Sequence, residues 1–242
     1  MEYIKKSDFS HFLQTCTGGK TKQRWLDLLR QKTEAAVFLY MVLDMDKTNK
    51  FIGTGTEIAS ELKMRKQNVL EAIKALNAQG YIRTDYDKIT KKTIHWIDPS
   101  LVWRSTPNDR KVCGFIDEPK KRPIYSFNNF VQSCFTRNVK AKYLECLIEN
   151  PMAYILFQFI NITMDYNRNL EVSRKDIADA LNVSEKTISR CLSYLVNNDF
   201  IYAFKRGKAL GFTVDEYLSS RTNNPTDNKS GIILGVERRN LQ

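Results

Sequence analysis

Apolar residues in the C-terminal half of the chain follow a helical period in two successive segments. The first spans Arg174–Leu181 behind a favourable N-cap, Ser173, and the second begins after Ser184 and ends near residue 197. The faces predicted to be buried comprise Ile177, Ala178, Leu181, Ile188, Cys191, Leu192 and Leu195. Strand-like residues 200–204, a basic turn and strand-like residues 209–214 follow. Helix, turn, helix and hairpin in this order predict a winged helix-turn-helix.

The same order of segments is predicted once earlier in the chain. The expected elements are helices at residues 57–62 and 65–78, strands at 81–86 and 93–97, and a turn at 87–92. An apolar helix precedes each set, at residues 34–45 and 152–164. These two helices are expected to supply the surface against which each set packs.

A sequence repeat links the two sets. FLQTC at Phe12–Cys16 recurs as FVQSC at Phe130–Cys134, 118 positions later, and WLDLL at 25–29 aligns with YLECL at the same offset. At offset 119, residues 56–82 align without a gap with residues 175–201. The identical pairs in that alignment are Ile58/Ile177, Ala59/Ala178, Leu62/Leu181, Leu76/Leu195 and Ile82/Ile201. Two unrelated segments sharing a common helical motif are the alternative, but the matches outside the motif favour internal duplication.

The predicted fold class is mainly α with small β-hairpins (α+β), organised as two tandem winged helix-turn-helix domains. Domain 1 is predicted at residues 1–106 and domain 2 at residues 125–220. Residues 107–124 contain prolines and lysines without periodicity and are expected to form a linker. The polar residues 221–242 are expected to form a flexible tail.

Charge indicates the class of partner. Lysine and arginine total 38 against 27 acidic residues in a chain of 242, which gives a net charge of +11. Such an excess favours polyanionic partners, because each neutralised phosphate releases condensed counterions. A basic protein with no nucleic-acid role is the alternative interpretation of charge alone.

Composition also indicates the compartment. A hydrophobic content of 42% is typical of a folded chain, and the sequence has neither an apolar run of membrane-spanning length nor a signal-peptide pattern. The five cysteines include no CxxC pair, which fits free thiols in a reducing compartment. The chain is therefore predicted to be cytoplasmic and not to bind membranes.

Candidate DNA-contacting residues follow from the motif, because its second helix enters the major groove with its N-terminal exposed side chains at base edges. In the first copy these are Arg65, Lys66, Gln67, Asn68 and Glu71, and in the second copy Ser184, Lys186, Thr187, Ser189 and Arg190. Hairpin residues expected over phosphates or the minor groove are Lys88, Lys91, Lys92, Lys205, Arg206 and Lys208. Arginine can bind guanine, and Gln67 or Asn68 can bind adenine, with two hydrogen bonds. The alternative for each residue is an ordinary solvated position. Because the two helices differ in sequence, two different half-sites are expected.

Catalytic patterns are weak in this sequence. The two histidines, His11 and His95, belong to no metal-binding spacing, and TGGK at residues 17–20 lacks the spacing of a phosphate-binding loop. A nicking initiator would need paired metal-binding histidines, and no metal site is present to activate a tyrosine. The chain is predicted not to be an enzyme and to use no metal or other cofactor.

Tandem winged helices joined by a linker in a basic protein of this length resemble plasmid and phage replication initiators of the iteron-binding type. The segment IHWIDPSLVWR at residues 94–104 also resembles the post-wing stretch of a Gram-positive plasmid replication-protein family, with Asp98 where that family has asparagine. The resemblance implies binding to repeated double-stranded origin sequences, opening of neighbouring AT-rich duplex and recruitment of host replication proteins. It also implies repression of the protein's own promoter. No dimerisation motif is matched, so self-association stays open.

Two other functions fit the same fold. A transcriptional regulator would use the same DNA-binding surfaces. An adaptor would bind DNA through one copy and a protein through the other, and the greater excess of basic residues in the first half would then make copy one the DNA binder.

Overall fold

Helices and antiparallel strands alternate in an order that occurs twice in the computed structural model, which describes residues 12–17, 19–104, 130–134, 136–165, 167–206 and 209–222. The first series is β1 (Phe12–Cys16), α1 (Gly19–Arg30), α2 (Lys32–Asp44), β2 (Lys50–Ile52), α3 (Gly55–Glu61), α4 (Lys66–Ala78), β3 (Ile82–Asp87), β4 (Lys92–Ile97) and β5 (Val102–Arg104). The second is β6 (Phe130–Cys134), α5 (Arg137–Glu149), α6 (Pro151–Thr163), β7 (Asn169–Glu171), α7 (Arg174–Leu181), α8 (Glu185–Asn197), β8 (Ile201–Arg206), β9 (Ala209–Val214) and β10 (Ser219–Thr222).

The predicted α+β class is confirmed. Within the described residues, eight helices are combined with three antiparallel sheets. Two sheets have three strands each, in the orders β2-β4-β3 and β7-β9-β8, and each is formed by strands of one half of the chain. The third sheet has four strands in the order β10-β6-β1-β5.

The four-stranded sheet joins the two halves of the chain directly. β1 and β6, the repeated FLQTC and FVQSC segments, pair antiparallel with Gln14 opposite Gln132. These two glutamines occupy the same place in the repeat, so a local two-fold axis passes between them. β5 extends the sheet beside β1 and β10 extends it beside β6, with Thr15 opposite Val102 and Ser133 opposite Ser219. The sequence analysis predicted neither these four strands nor a sheet shared by the two halves.

Local sequence explains where the paired helices begin. Ser173 and Ser184 cap α7 and α8 as predicted, since each hydroxyl accepts a hydrogen bond from the backbone N–H three residues later. α3 begins at Gly55 and not at Glu57, because Thr54 and Glu57 form a capping box. The helix predicted at residues 65–78 corresponds to α4 but is one residue too long. Arg65 is the N-cap of α4 and lies in extended backbone.

Residues with left-handed backbone recur at equivalent places. The pairs, each separated by 119 positions, are Asn49 (φ 59°) with Arg168 (φ 65°), Lys63 (φ 53°) with Asn182 (φ 52°), and Gly80 (φ 68°) with Asp199 (φ 53°). Left-handed backbone is unusual for residues other than glycine. The two halves therefore turn at the same points with the same local geometry.

The aromatic packing of the first half is repeated in the second. Trp25 packs edge-on against Phe38 at 5.6 Å between ring centroids, and Phe38 packs against Tyr81 at 6.1 Å. The equivalent rings in the second half are Tyr143, Phe157 and Phe200. The ring centroids of Tyr143 and Phe157 lie 5.8 Å apart, and those of Phe157 and Phe200 lie 5.0 Å apart. The Trp25 indole donates to the carbonyl of Leu101, and the Tyr143 hydroxyl donates to the carbonyl of Leu218.

Helices of the two halves also pack on each other. α2 contacts α5 and α6, while α1 contacts α6 and α7. Lys140 on α5 forms an ion pair with Asp44 on α2 at 2.6 Å, and the Arg30 guanidinium donates to the carbonyl of Ala180 at 2.8 Å. The buried cluster accordingly includes apolar residues of both halves, among them most of the apolar residues of α2 and α6.

The ends of the predicted domains lie partly outside the described structure. The linker predicted at 107–124 lies outside the described residues, and so does most of the tail predicted at 221–242. β10 extends to Thr222, so the first two residues assigned to the tail belong instead to the shared sheet. Within the described ranges, none of the helices is both long and apolar enough to cross a membrane.

Candidate nucleic-acid interface

The first turn of α8 presents polar side chains on the side opposite its buried face. Lys186 and Arg190 are exposed, whereas Thr187 and Ser189 are half-buried. Ile188, Cys191, Leu192 and Leu195 fill the core as predicted. The cap fixes the start of the helix, because the Ser184 hydroxyl accepts from the Thr187 amide and lies 2.9 Å from the Thr187 hydroxyl. This end of α8 is a rigid polar surface with two exposed cations.

The first turn of α4 is a similar surface with different chemistry. Arg65, Lys66, Gln67, Asn68 and Glu71 are all exposed, and Val69, Ala72 and Leu76 form the buried face. The Gln67 amide donates to the Glu71 carboxylate at 2.8 Å. Gln67 would have to share or release this bond to bind adenine with both of its polar groups. Asn68 carries no such bond within the described residues, which favours Asn68 for that role.

The hairpin between β3 and β4 carries Lys88, Lys91 and Lys92, all exposed. Asp87 holds its turn: one carboxylate oxygen accepts from the amides of Ile89 and Thr90, and the other accepts from the Thr90 hydroxyl at 2.7 Å. The Thr90 hydroxyl contributes most, and these bonds together lower the pKa of Asp87. The lysines are therefore displayed on a defined turn.

The hairpin of the second half is described only in part. Lys205 and Arg206 lie in β8, but their side chains are not among those described, and Lys208 lies outside the described residues. The register of β8 with β9 does place Arg206 opposite Ala209, at the end of the ladder. The turn predicted at residues 205–208 was therefore placed two residues too early, because Lys205 and Arg206 continue the strand.

A hydrogen-bond network fixes the first hairpin to α4. The Asn77 side chain on α4 donates to the Thr84 hydroxyl and accepts from the Thr84 amide, each at 2.8 Å. The Thr84 hydroxyl lies 2.8 Å from Nδ1 of His95, and Nε2 of His95 lies 3.1 Å from the carbonyl of Gly53. A carbonyl only accepts, so Nε2 carries the proton and Nδ1 accepts from Thr84. Burial lowers the pKa of His95, which favours the neutral ring.

The outer face of the same sheet adds two cations near the hairpin. Register places Trp96 between Lys50 and Arg83, on neighbouring strands. The Lys50 ammonium lies 4.6 Å, and the Arg83 guanidinium carbon 5.6 Å, from the centroid of the indole ring. The indole N–H donates to Asp85 at 3.0 Å. The cations cover this tryptophan, which links its two neighbouring strands through the cation–π contacts.

His95, Cys146 and Cys191 lie in the part of the chain that the structure describes. Within it, no group of three or more His, Cys, Asp or Glu residues could hold a metal ion. His95 is buried in the network above, and His11 lies outside the described residues. Burial raises the pKa of the Cys146 thiol to about 12 and that of the Cys191 thiol to about 11, so both stay protonated at neutral pH.

One residue of the hairpin surface was missed by the sequence analysis. Ile89, at the tip of the β3–β4 turn, is 93% exposed, although the segment DKITKK was interpreted only as a basic turn. An isoleucine between lysines in a predicted turn is the signal that could have singled it out.

Comparisons with known proteins identify a similarity to a solved structure. No protein-family model matches the sequence, and no curated protein matches it. Among solved structures, the chain is similar to one described as the crystal structure of Pi initiator protein in complex with iteron DNA, with 12% sequence identity and a TM-score of 0.39. The alignment covers 86% of this chain and 99% of that chain. At this TM-score the likeness does not establish a shared fold.

Proposed function

We propose that this chain is a sequence-specific double-stranded DNA-binding protein made of two tandem winged helix-turn-helix domains that arose by internal duplication. We further propose that it binds repeats at a replication origin and acts there without catalysis. The observation that carries the proposal is the pair of exposed polar first turns of α4 and α8. Each follows a short helix and a turn and precedes a hairpin.

Three features support duplication. The order of nine elements is repeated, three pairs of left-handed residues recur at one constant offset, and the aromatic triads are equivalent. The pairing of β1 with β6 through the same residue of the repeat adds a local two-fold relation. Two segments that merely shared a common helical motif would not be expected to match in β-strand register and aromatic packing outside that motif.

Charge and exposure support DNA as the partner. Arg65, Lys66, Lys186 and Arg190 stand at the ends of the two second helices, where base edges would be reached. Lys88, Lys91 and Lys92 stand on a hairpin beside α4, where phosphates would lie. The net charge of +11 supplies the long-range attraction that brings such a surface to DNA.

Equivalent geometry in the two halves favours two DNA-binding domains over an adaptor with one. The α8 surface has two exposed cations near its N-terminus, the end that a DNA-reading helix presents to base edges. A transcriptional regulator would use the same two surfaces. Direct repeats beside an AT-rich tract in the flanking DNA, and melting of that tract when the protein binds, would distinguish the initiator from the regulator.

Selection from a random duplex library tests the DNA-binding proposal. The full chain is expected to enrich a defined sequence and to bind it with an affinity that falls steeply with salt. The slope of log K against log salt should be about −0.9 for each phosphate contacted. Failure to enrich any sequence, together with absent or salt-insensitive binding to duplex, would refute the proposal.

Arg190→Ala tests whether α8 reads bases. Arg190 is exposed and contributes nothing to the core, so the fold should be unchanged. Binding to the selected duplex should weaken by about 1–3 kcal/mol, with less change on random duplex, if the arginine contacts a base. Arg137→Ala, which removes an exposed arginine from α5, controls for the loss of one charge. Equal weakening on both duplexes would assign Arg190 to phosphate, and no weakening would remove α8 from the interface.

A further inference from the structure

Ile89 is the most exposed of the large apolar side chains that the structure describes. Its exposure is 93%, against 50% for Ile52 and 42% for Leu70. It contributes nothing to the core, so its side chain is free to meet a partner.

The conformation that displays Ile89 is fixed. The Asp87 carboxylate accepts from the Ile89 amide at 2.9 Å and from both the amide and the hydroxyl of Thr90. Lys91 adopts left-handed backbone with φ of 55°, and the ladder closes at the pair Asp87 and Lys92. An apolar group held on an ordered turn loses little conformational entropy when it binds.

The surroundings of Ile89 define the partner. Lys88, Lys91 and Lys92 are all exposed on the same turn. A purely apolar protein pocket would have to desolvate these cations, which is costly. A groove with anionic rims and stacked bases at its floor accommodates both features, and this is the chemistry of the DNA minor groove. Proteins that bend DNA insert isoleucine and similar residues between base pairs there.

The second hairpin differs at the same place. The end of β8 and the two residues that follow it, KRGK at 205–208, contain no apolar residue. The halves of the chain are otherwise closely equivalent, so the apolar tip belongs to one half only.

We propose that Ile89 is a minor-groove wedge, which enters a base-pair step and unstacks it on one side of the bound site. This inference rests on the proposed DNA-binding function. The wedge would make one flank of the site easier to open than the other. A one-sided distortion is a property that neither the basic charge nor the two recognition helices would supply.

The test uses the full chain and the duplex that the wild-type chain selects from a random library. Adenines are replaced one at a time by 2-aminopurine, whose fluorescence rises when its base unstacks, and affinity is measured separately by gel shift. The wild-type chain is expected to raise the fluorescence at one step, or two adjacent steps, on one side of the centre. Ile89→Ala and Ile89→Ser should lose that rise while retaining salt-dependent binding. Ile89→Leu, which keeps an apolar wedge, and Ile52→Ala, an exposed apolar control outside the turn, should retain it.

Each other outcome has a distinct meaning. Binding without a fluorescence rise, or an undiminished rise with Ile89→Ala, would overturn the wedge and leave the DNA-binding proposal standing. An unchanged rise with Ile89→Ala combined with loss of self-association in sedimentation would assign Ile89 to a protein interface and also overturn the wedge. Absence of any duplex binding by the wild-type chain would overturn both proposals.

Discussion

His95 shows how a single side chain ties the first hairpin to α4. It is 1% exposed and accepts from Thr84, which is itself held by Asn77 of α4. If Nδ1 were protonated, its N–H would face the Thr84 hydroxyl, which now donates its own hydrogen to Nδ1, and the bond would be lost. The folded state therefore disfavours the charged ring, and burial lowers the pKa of His95 below its ordinary value.

Stability should consequently fall on mild acidification. Above the ordinary histidine pKa, His95 is neutral in both the folded and the unfolded state. In that range His95 therefore contributes no pH dependence to stability. As the pH falls through that value towards the lowered folded pKa, only the unfolded state gains the proton, so the free energy of unfolding decreases. Urea unfolding at pH 7.5 and 5.5 measures the difference. His95→Gln, which cannot titrate, should show a smaller difference, and an equal one would mean that other groups cause the effect.

At the residue scale, sequence reasoning found what depends on near neighbours. Ser173 and Ser184 were identifiable as caps because an N-cap bonds to an amide three residues away. Thr54 was not identified as a cap, although Thr54 and Glu57 have the three-residue spacing of a capping box. The exposure of Ile89 and the network around His95 depend on strand register, which no single segment of sequence reveals.

The N-cap of α8 is the element on which the proposed DNA contacts of the second half depend. Ser184→Ala removes the acceptor for the Thr187 amide and should lower the free energy of unfolding by about 1 kcal/mol. Fraying of this turn should also weaken binding to the selected duplex, because Lys186 and Thr187 lie in it. Ser193→Ala, in the middle of the same helix, is the matched control and should change little. Unchanged stability and binding in Ser184→Ala would contradict the cap's role.

At the element scale, helical period located α4, α7 and α8 to within a residue, because each has a continuous apolar face. Strands β1 and β6 are five residues long and were recognised only as a repeat. Their structure depends on pairing with each other across more than a hundred residues. Long-range pairing of this kind leaves no periodic signal in a short strand.

At the scale of the whole molecule, the two halves are mutually dependent. β1 lies between β5 of its own half and β6 of the other, and α6 is buried along nearly its whole length. α1 and α2 of the first half cover part of α6. A separated second half would expose that apolar helix and one edge of β6. The sequence predicted two tandem domains and a linker, but it contained no evidence for this shared interface.

Separation of the halves tests that dependence. A cut near Asn108 falls within the segment 105–129 and leaves every described element intact. Fragments 1–108 and 109–242, co-expressed with a tag on one, are expected to purify together and to bind the selected duplex, because strand pairing and helix packing replace the covalent connection. Expressed alone, each fragment should aggregate or bind DNA much more weakly. Val131→Pro removes a ladder hydrogen bond from β6 and should reduce association of the fragments. Lys140→Ala removes only an ion pair whose partners are partly exposed, and it should leave association unchanged. Two stable, monomeric fragments that do not associate would show that the shared sheet is dispensable.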